Sequence, residues 1–412
     1  MIATRAEALA RLDRFLPHAG RDYASNRNYD RGPADRANVS VLSPYVRARL
    51  VTEDEVLRAV LDRHSPSAAE KFVQEVLWRT YWKGWLESRP IVWDRYRHDL
   101  AAAYAHVEER GDRAVAYGEA VAGTTGIGAF DAWARELVAE GYLHNHARMW
   151  FASVWIFTLR LPWELGADFF MRHLLCGDPA ANTLSWRWVA GLQTKGKTYL
   201  ATRENIRRYT DGRLDPGTHI ATRADAIAGP AYGPGRLPEL AFGCASDVPT
   251  MLLLHDDDLG VDSLDLDGVD VRATVGFEAV AGRSPRDMSP GVTAFVREAL
   301  GDALERAPHG DATTIVRAGD STTTASALAD RALACGARRI VAPFAPVGPV
   351  ATALREIRTP LEARGIALET FGRRYDATVW PYATRGFFNL KDKIPSVLVT
   401  LGALNKRGGT SS

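Results

Sequence analysis

Two fold classes share this chain: an all-helical domain, then an α/β domain with a parallel, Rossmann-like sheet. Three observations predict them. Residues 1–213 place apolar side chains at helical spacing and show almost no strand-like alternation. The composition then shifts to Gly, Pro and Ala, as in GPAYGPGRLPEL. Beyond that shift, short apolar runs alternate with helical stretches, the pattern of a parallel sheet covered by helices. At 412 residues the chain exceeds one ordinary core. The expected units are a helical domain over 1–214, a linker or ordered crossing segment over 215–248, an α/β domain over 249–400 and a flexible tail over 401–412.

The N-terminal stretch MIATRAEALARLDRFL reads as an amphipathic helix, with no apolar core or cleavage site of a signal peptide. Residues 51–63 (VTEDEVLRAVLDR) form a helix opened by Thr52 as N-cap, with acids in the first turn. Residues 68–87 and 130–140 repeat the same period. In the second half, strands are expected at 250–255, 271–277, 313–317, 339–343 and 366–371. Helices are expected at 292–306, 324–335 and 350–364. No G-x-G-x-x-G or Walker A pattern accompanies them, so a dinucleotide or nucleoside-triphosphate fingerprint is not supported.

Hydrophobic content of 46% and charged content of 25% are those of a soluble globular protein. A net charge of +1 leaves nucleic acid open as a partner, since a basic face can sit on a neutral chain. Cys176, Cys244 and Cys335 are scattered and odd in number, which argues against a disulfide framework. Three thiolates also fall short of a standard iron–sulfur cluster, and no metal is expected. No apolar run is long enough to span a membrane. A cytoplasmic, monomeric protein is the expectation.

The stretch 141–191 is rich in Trp, Phe and Leu, yet it holds His144, Asn145, His146, Arg148, Asp178 and Asn182. Polar groups buried among aromatics cost free energy unless each has a partner. A large planar ligand with polar edges would supply stacking surface and hydrogen bonds together. A plain helical core with a few satisfied polar residues is the other reading.

Four motifs in order carry a resemblance: VSVLSPY at 39–45, EVLWRTY at 75–81, TGIGAFDAWARELVAEGYLHNHARM at 125–149 and CGDPAANTLSWRWVAG at 176–191. Together they resemble the helical flavin-binding domain of the DNA photolyase/cryptochrome family. The α/β half resembles, less closely, the latter part of that family's antenna domain, through VRAGD, GARRIVAPFAPVG, GIALETF and the segment DATVWPYATRGFFNLKDKIP. In the family the antenna domain comes first, so the resemblance implies two domains in exchanged order. A generic α/β domain is the alternative for this half, which carries no signature naming an antenna chromophore.

The resemblance implies FAD as cofactor and assigns roles by position. Ser40, Leu42 and Ser43 match the phosphate-binding loop, with Val39 standing where the family has Thr. Tyr23 and Arg27 match a Y-x-x-x-R pair that meets FAD and DNA phosphate, with Tyr29 as an alternative to Tyr23. Arg79, Arg148 and Asp178 match residues around the flavin and its ribityl–adenine side. Asn182 matches the residue facing flavin N5, where photolyases carry Asn. Glu75, Trp78, Asn145, Met149 and Trp188 match the pocket for a cyclobutane pyrimidine dimer, and Asn145 and Met149 disfavour a (6-4) substrate. Trp186 and Trp163 match the first two members of an electron relay, whose third Trp has no counterpart at 107–123. His146 replaces an Arg that contacts the lesion strand, and Cys176 replaces an Asp that pairs with the Arg at position 148. Lys195, Lys197, Arg203, Arg207 and Arg208 form a basic cluster that either tracks phosphates or is a solvated helix face. The implied function is light-driven repair of damaged DNA. A blue-light receptor that signals without repair, and a flavoprotein with dark redox chemistry, are the alternatives.

Overall fold

In the computed structural model, the structure describes residues 1–243 and 247–404. Nine longer helices build the first half: α1 Arg5–Phe15, α2 Glu53–Arg63, α3 Pro66–Glu87, α4 Ile91–Glu109, α5 Gly111–Ala122, α6 Gly128–Glu140, α7 Asn145–Ser153, α8 Trp163–His173 and α9 Pro179–Val189. Their starts follow from local chemistry. Thr52 and Glu55 close a reciprocal capping box on α2. Ser65 caps α3, with Pro66 at its first position. Asp178 caps α9 by accepting from the Ala181 N–H at 2.8 Å. A single π-helical turn, Val154–Thr158, continues α7 and carries Trp155 into the core.

The second half is a five-stranded, all-parallel sheet in the order β3-β2-β1-β4-β5. Its strands are β1 Thr250–His255, β2 Val271–Glu278, β3 Gly310–Arg317, β4 Arg339–Pro343 and β5 Ala367–Phe371. β1 is central and buried at all six positions, as a strand covered on both faces must be. Helices α10 Pro290–Arg306, α11 Ser321–Ala334 and α12 Pro349–Glu362 make the crossovers. The strands and helices read from the sequence match these within a few residues.

The halves are joined through buried charge. Arg49, 2% exposed, pairs with Asp376 at 2.7 Å, Asp258 at 2.9 Å and Glu53 at 3.4 Å. Arg47 reaches Asp257 at 2.5 Å and Asp256 at 3.4 Å, and Arg283 holds Asp256 at 3.1 Å. Residues from both halves also share one apolar core.

The Gly/Pro-rich crossing holds no helix or strand among its described residues, but it is docked. The Gly235 N–H donates to Ser88 O at 2.7 Å, the Ile227 N–H to Ala190 O at 3.0 Å, and Arg89 Nε to Tyr232 O at 3.0 Å. Residues 244–246 of this stretch, including Cys244, lie outside the described residues.

After β5 the chain returns to the helical half. Trp380 and Ala383 sit so close to α3 that a Cβ on Gly84 would come within 2.7 Å of the indole, so Gly84 is what admits them. The start of the tail expected to be flexible, from residue 401, makes contacts with the rest of the chain. Leu401, Ala403 and Leu404 pack on the core, and Arg58 donates to the carbonyls of Leu401 and Gly402. Apolar side chains just past helix Ile394–Thr400 fold the chain back. Residues 405–412 of that tail lie outside the described residues.

Candidate functional site: a cavity in the helical half

A cavity of about 670 Å³ opens between α3, α7, α9 and the 39–43 loop. Its volume falls in the range of cofactor and ligand pockets. One wall is the loop: Ser40, Leu42 and Ser43 line it, with Val39 and Val41. Val41 has φ +51°, a conformation that a β-branched residue adopts only when its surroundings impose it.

The charged side of the cavity is Arg79, Arg148 and Asp178. Arg79 Nη1 lies 3.3 Å from Asp178 Oδ2, and Lys83 Nζ is 3.9 Å away. Burial pushes the Asp178 carboxyl up, but Lys83, Arg79 and the Ala181 N–H outweigh it and hold it ionised, below the usual range. Arg148 donates from Nε to Leu143 O at 2.8 Å and from Nη2 to Cys176 Sγ at 3.3 Å. Cys176 thus takes the place of a carboxylate partner. Burial raises its thiol, while Arg148 and Arg79 bring the net shift below the ordinary value. Asn182 lines the same wall and is anchored by Nδ2 to Ala167 O at 2.8 Å. Its amide is neutral at any working pH. Tyr23 and Trp186 complete this inner part. Tyr29 turns away, edge-on to Tyr209 with centroids 5.2 Å apart.

The outer part is aromatic. Trp78, Trp188, Asn145, Met149 and Glu75 line the mouth. Trp188 stacks on Tyr199 at 5.5 Å. Phe387 covers one face of Trp78, with ring centroids 3.6 Å apart and 9° between planes. Arg27 Nε lies 3.6 Å from Glu75 Oε1. The confining walls raise the Glu75 carboxyl and Arg27 partly offsets them. His146 lines the cavity while its Nδ1 sits 2.8 Å from Asn28 O and its ring stacks on Trp150 at 4.7 Å. Burial lowers its pKa, so the imidazole is neutral at pH 7.

Some expected residues lie elsewhere. Trp163 is buried beside Tyr96, centroids 5.6 Å apart, and does not line the cavity. Lys195 and Lys197 are exposed on a turn after α9. Arg203 is held by Asp215 at 2.7 Å, Arg207 lies 3.6 Å from the same carboxylate, and Arg208 covers Tyr209. That part of the basic cluster is therefore already committed.

Trp82 and Phe388 are among the lining residues that the sequence reading did not single out. Trp82 stands four residues after Trp78 on α3, a helical spacing that was available as a signal. Phe388 comes from the second half, and nothing in the local sequence points to it.

Residues 72–214 match the family described as the FAD binding domain of DNA photolyase. That stretch of the helical half is similar to a photolyase-type FAD-binding domain. A deoxyribodipyrimidine photo-lyase of Agrobacterium fabrum is 31% identical over 187 residues, which is 45% of this chain and 37% of that protein. One from Streptomyces griseus is 35% identical over 172 residues, 40% of this chain and 36% of its own. The crystal structure of a bacterial class III photolyase from Agrobacterium tumefaciens is 27% identical with a TM-score of 0.41, covering 50% of this chain and 44% of that one. The match thus spans less than half the length of these curated relatives.

The cavity suits the cofactor of such a domain. Its serine hydroxyls and arginines match a diphosphate, its inner wall offers an uncharged amide and an indole, and its size admits a folded dinucleotide. FAD is the cofactor of this photolyase-type domain. No helix among the described residues is long and apolar enough to cross a membrane.

Proposed function

We propose that this protein is a light-driven flavoenzyme that splits cyclobutane pyrimidine dimers in DNA. The observation carrying the reading is that one cavity is lined by both sets of residues: Ser40, Ser43, Arg79, Arg148, Asp178 and Asn182 within, and Glu75, Trp78, Asn145, Met149 and Trp188 at its mouth. When bound, FAD supplies a light-absorbing centre capable of one-electron transfer. Ser40, Leu42 and Ser43 hold its phosphates, Tyr23 its flank, and Arg79, Arg148 and Asp178 its polar edges. Asn182 offers hydrogen bonding without an ionisable proton, which favours an anionic reduced cofactor.

At the mouth, Trp78 and Trp188 present apolar faces to flipped-out pyrimidines, and excluding water there strengthens each polar contact. Glu75, with its raised pKa, hydrogen-bonds the paired bases, and Asn145 and Met149 shape the slot. Arg27, Lys195 and Lys197 neutralise strand phosphates, while a neutral His146 contributes position and little charge. Trp186 and Trp163 are the relay that keeps the cofactor reduced. The α/β half is an antenna-like domain in exchanged order, and the protein acts as a cytoplasmic monomer.

Purified, photoreduced protein given a dimer-containing oligonucleotide under blue light, with a dark control, tests this. Light-dependent recovery of intact pyrimidines supports the reading. Flavin present and photoreducible with no dimer split overturns it.

A second reading, a blue-light receptor, is favoured by the Phe387 ring that already covers one face of Trp78 and by the neutral His146. A light-dependent change of partner or oligomeric state without repair would support it.

A further inference from the structure

The second half lends the cavity mouth one side chain with no role so far. Phe388 lines the cavity yet is 76% exposed, more than any other large apolar side chain among the described residues. Scattered exposed apolar residues are ordinary on a protein surface, so the setting of this one decides what it means. Phe388 lies on the short helix Phe387–Lys391, and that helix is pinned from beneath. Phe387 stacks on Trp78, and Leu390 is fully buried. Just before it, Tyr81 Oη donates to Arg385 O at 2.9 Å and Arg89 Nη2 to Thr384 O at 2.9 Å. Just after it, the Asp392 N–H donates to Phe388 O at 3.0 Å. An ordered backbone therefore presents the exposed ring, and little freedom is left to lose when something stacks on it.

The charge around the ring is positive. Arg385 and Lys393 are exposed and make no ion pair among the described residues. Lys391 Nζ and Lys71 Nζ each lie 4.0 Å from Glu70 Oε1. These four cations stand beside two carboxylates, Glu70 and Asp392, while Glu75 at the mouth is matched by Arg27. An exposed aromatic ring among surplus cations is the make-up of a stacking platform for nucleic-acid bases, with the cations left for the strand.

We propose that Phe388 is a wedge for double-stranded DNA, filling the gap that a flipped-out pyrimidine pair leaves in the duplex. The proposal rests on the reading that such a pair enters the cavity. When it does, the duplex loses two stacked bases directly over the mouth, and their partners on the other strand are left unpaired. Unstacking is the main cost of flipping, and an apolar side chain inserted into the gap offsets part of it. Phe388 is placed for that because it shares the mouth with Trp78 and Trp188 yet points its ring to solvent. Arg385 and Lys393 neutralise phosphates flanking the gap. A single strand has no paired stack to repair, so the wedge favours duplex over single-stranded substrate. Preference for the duplex is thus set by the second half, while the helical half holds the lesion.

Binding by the full-length, FAD-loaded protein in the dark tests the assignment. The probes are a dimer-containing duplex and the same damaged strand alone, each followed by fluorescence anisotropy. Phe388→Ala should weaken duplex binding about tenfold and single-strand binding by no more than about twofold. Phe388→Trp should restore the duplex preference. Arg385→Ala and Lys393→Ala should each lower the salt slope by about one, on both probes. A 2-aminopurine opposite the lesion should be quenched by the unsubstituted protein and stay bright with Phe388→Ala. Equal losses on duplex and single strand, or an unquenched 2-aminopurine in the unsubstituted complex, would overturn the wedge. Flavin-loaded protein that takes up neither damaged probe would sink the wedge and the repair reading together. Duplex binding that depends on Phe388, with no dimer split under blue light, would leave the wedge standing and sink only repair.

Discussion

The seam between the halves and the cavity are both built from buried arginines and carboxylates, yet they are completed differently. At the seam, Arg49 faces Asp258, Asp376 and Glu53, and Arg47 faces Asp256 and Asp257. At the cavity, Arg79 shares one Asp178 oxygen, and Arg148 relies on a backbone carbonyl and a thiol. Charge satisfied within the chain is architecture, whereas charge left facing open space marks where a ligand belongs.

The sharpest way to break the comparison is at the seam. Arg49→Met takes the arginine partner from buried Asp376 and Glu53 and leaves Asp258 to Arg373 alone, and should cost about 3–5 kcal/mol, read as a fall in the denaturation midpoint. An unchanged midpoint would mean the seam is not what joins the halves.

Glu87 offers a test by pH. Its Oε1 accepts from the Val347 N–H of the second half at 2.5 Å, and burial lifts its pKa from 4.5 to about 8. The folded protein holds that proton after the unfolded chain has lost it, so stability falls as pH rises from 4.5 towards 8 and then levels. Glu87→Gln should recover on the order of 2 kcal/mol at pH 8 and almost nothing near pH 4.5, seen in melting curves at the two pH values.

On the cavity side, Asp178→Ala should cost about 1 kcal/mol through the lost cap of α9, and more because buried Lys83 loses its carboxylate. Its larger signature is flavin absorbance, because Arg79 and Lys83 lose the carboxylate that positions them. Full flavin content in that variant would place the cofactor's polar edge elsewhere. The smallest expected effect is His146→Arg. It should steepen the salt dependence of DNA binding by about one unit of log–log slope, and the lost stacking on Trp150 should lower the melting point slightly.

Much of this was legible in the chain because the determinants are local. Thr52 with the acids of the first turn, and the apolar run of β1, announce their elements within a few residues, whereas the Ser65 cap and Pro66 start α3 two residues before the stretch read from periodicity. The inner cavity was legible for a different reason. Ser40, Arg79, Arg148, Asp178 and Asn182 belong to motifs whose chemistry is specific, and α3, α7 and α9 bring them to one wall. What stayed hidden depends on residues far apart in sequence. No pattern near Arg49 foretells Asp258 or Asp376, and Phe387 on Trp78 follows only from how the segment after β5 returns to α3. Cys176 read as a gap in the pairing of Arg148, and the folded geometry shows the thiol itself filling it.

The return of that last segment also sets an order of events during synthesis. Apart from Phe388, the residues lining the cavity all lie at or before Val189, so they are synthesised before the α/β half. Phe387 and Phe388 reach the rim only after the sheet has been made and Trp380 has settled against Gly84. The part of the rim that Phe387 and Phe388 supply is thus the last of the cavity wall to be made.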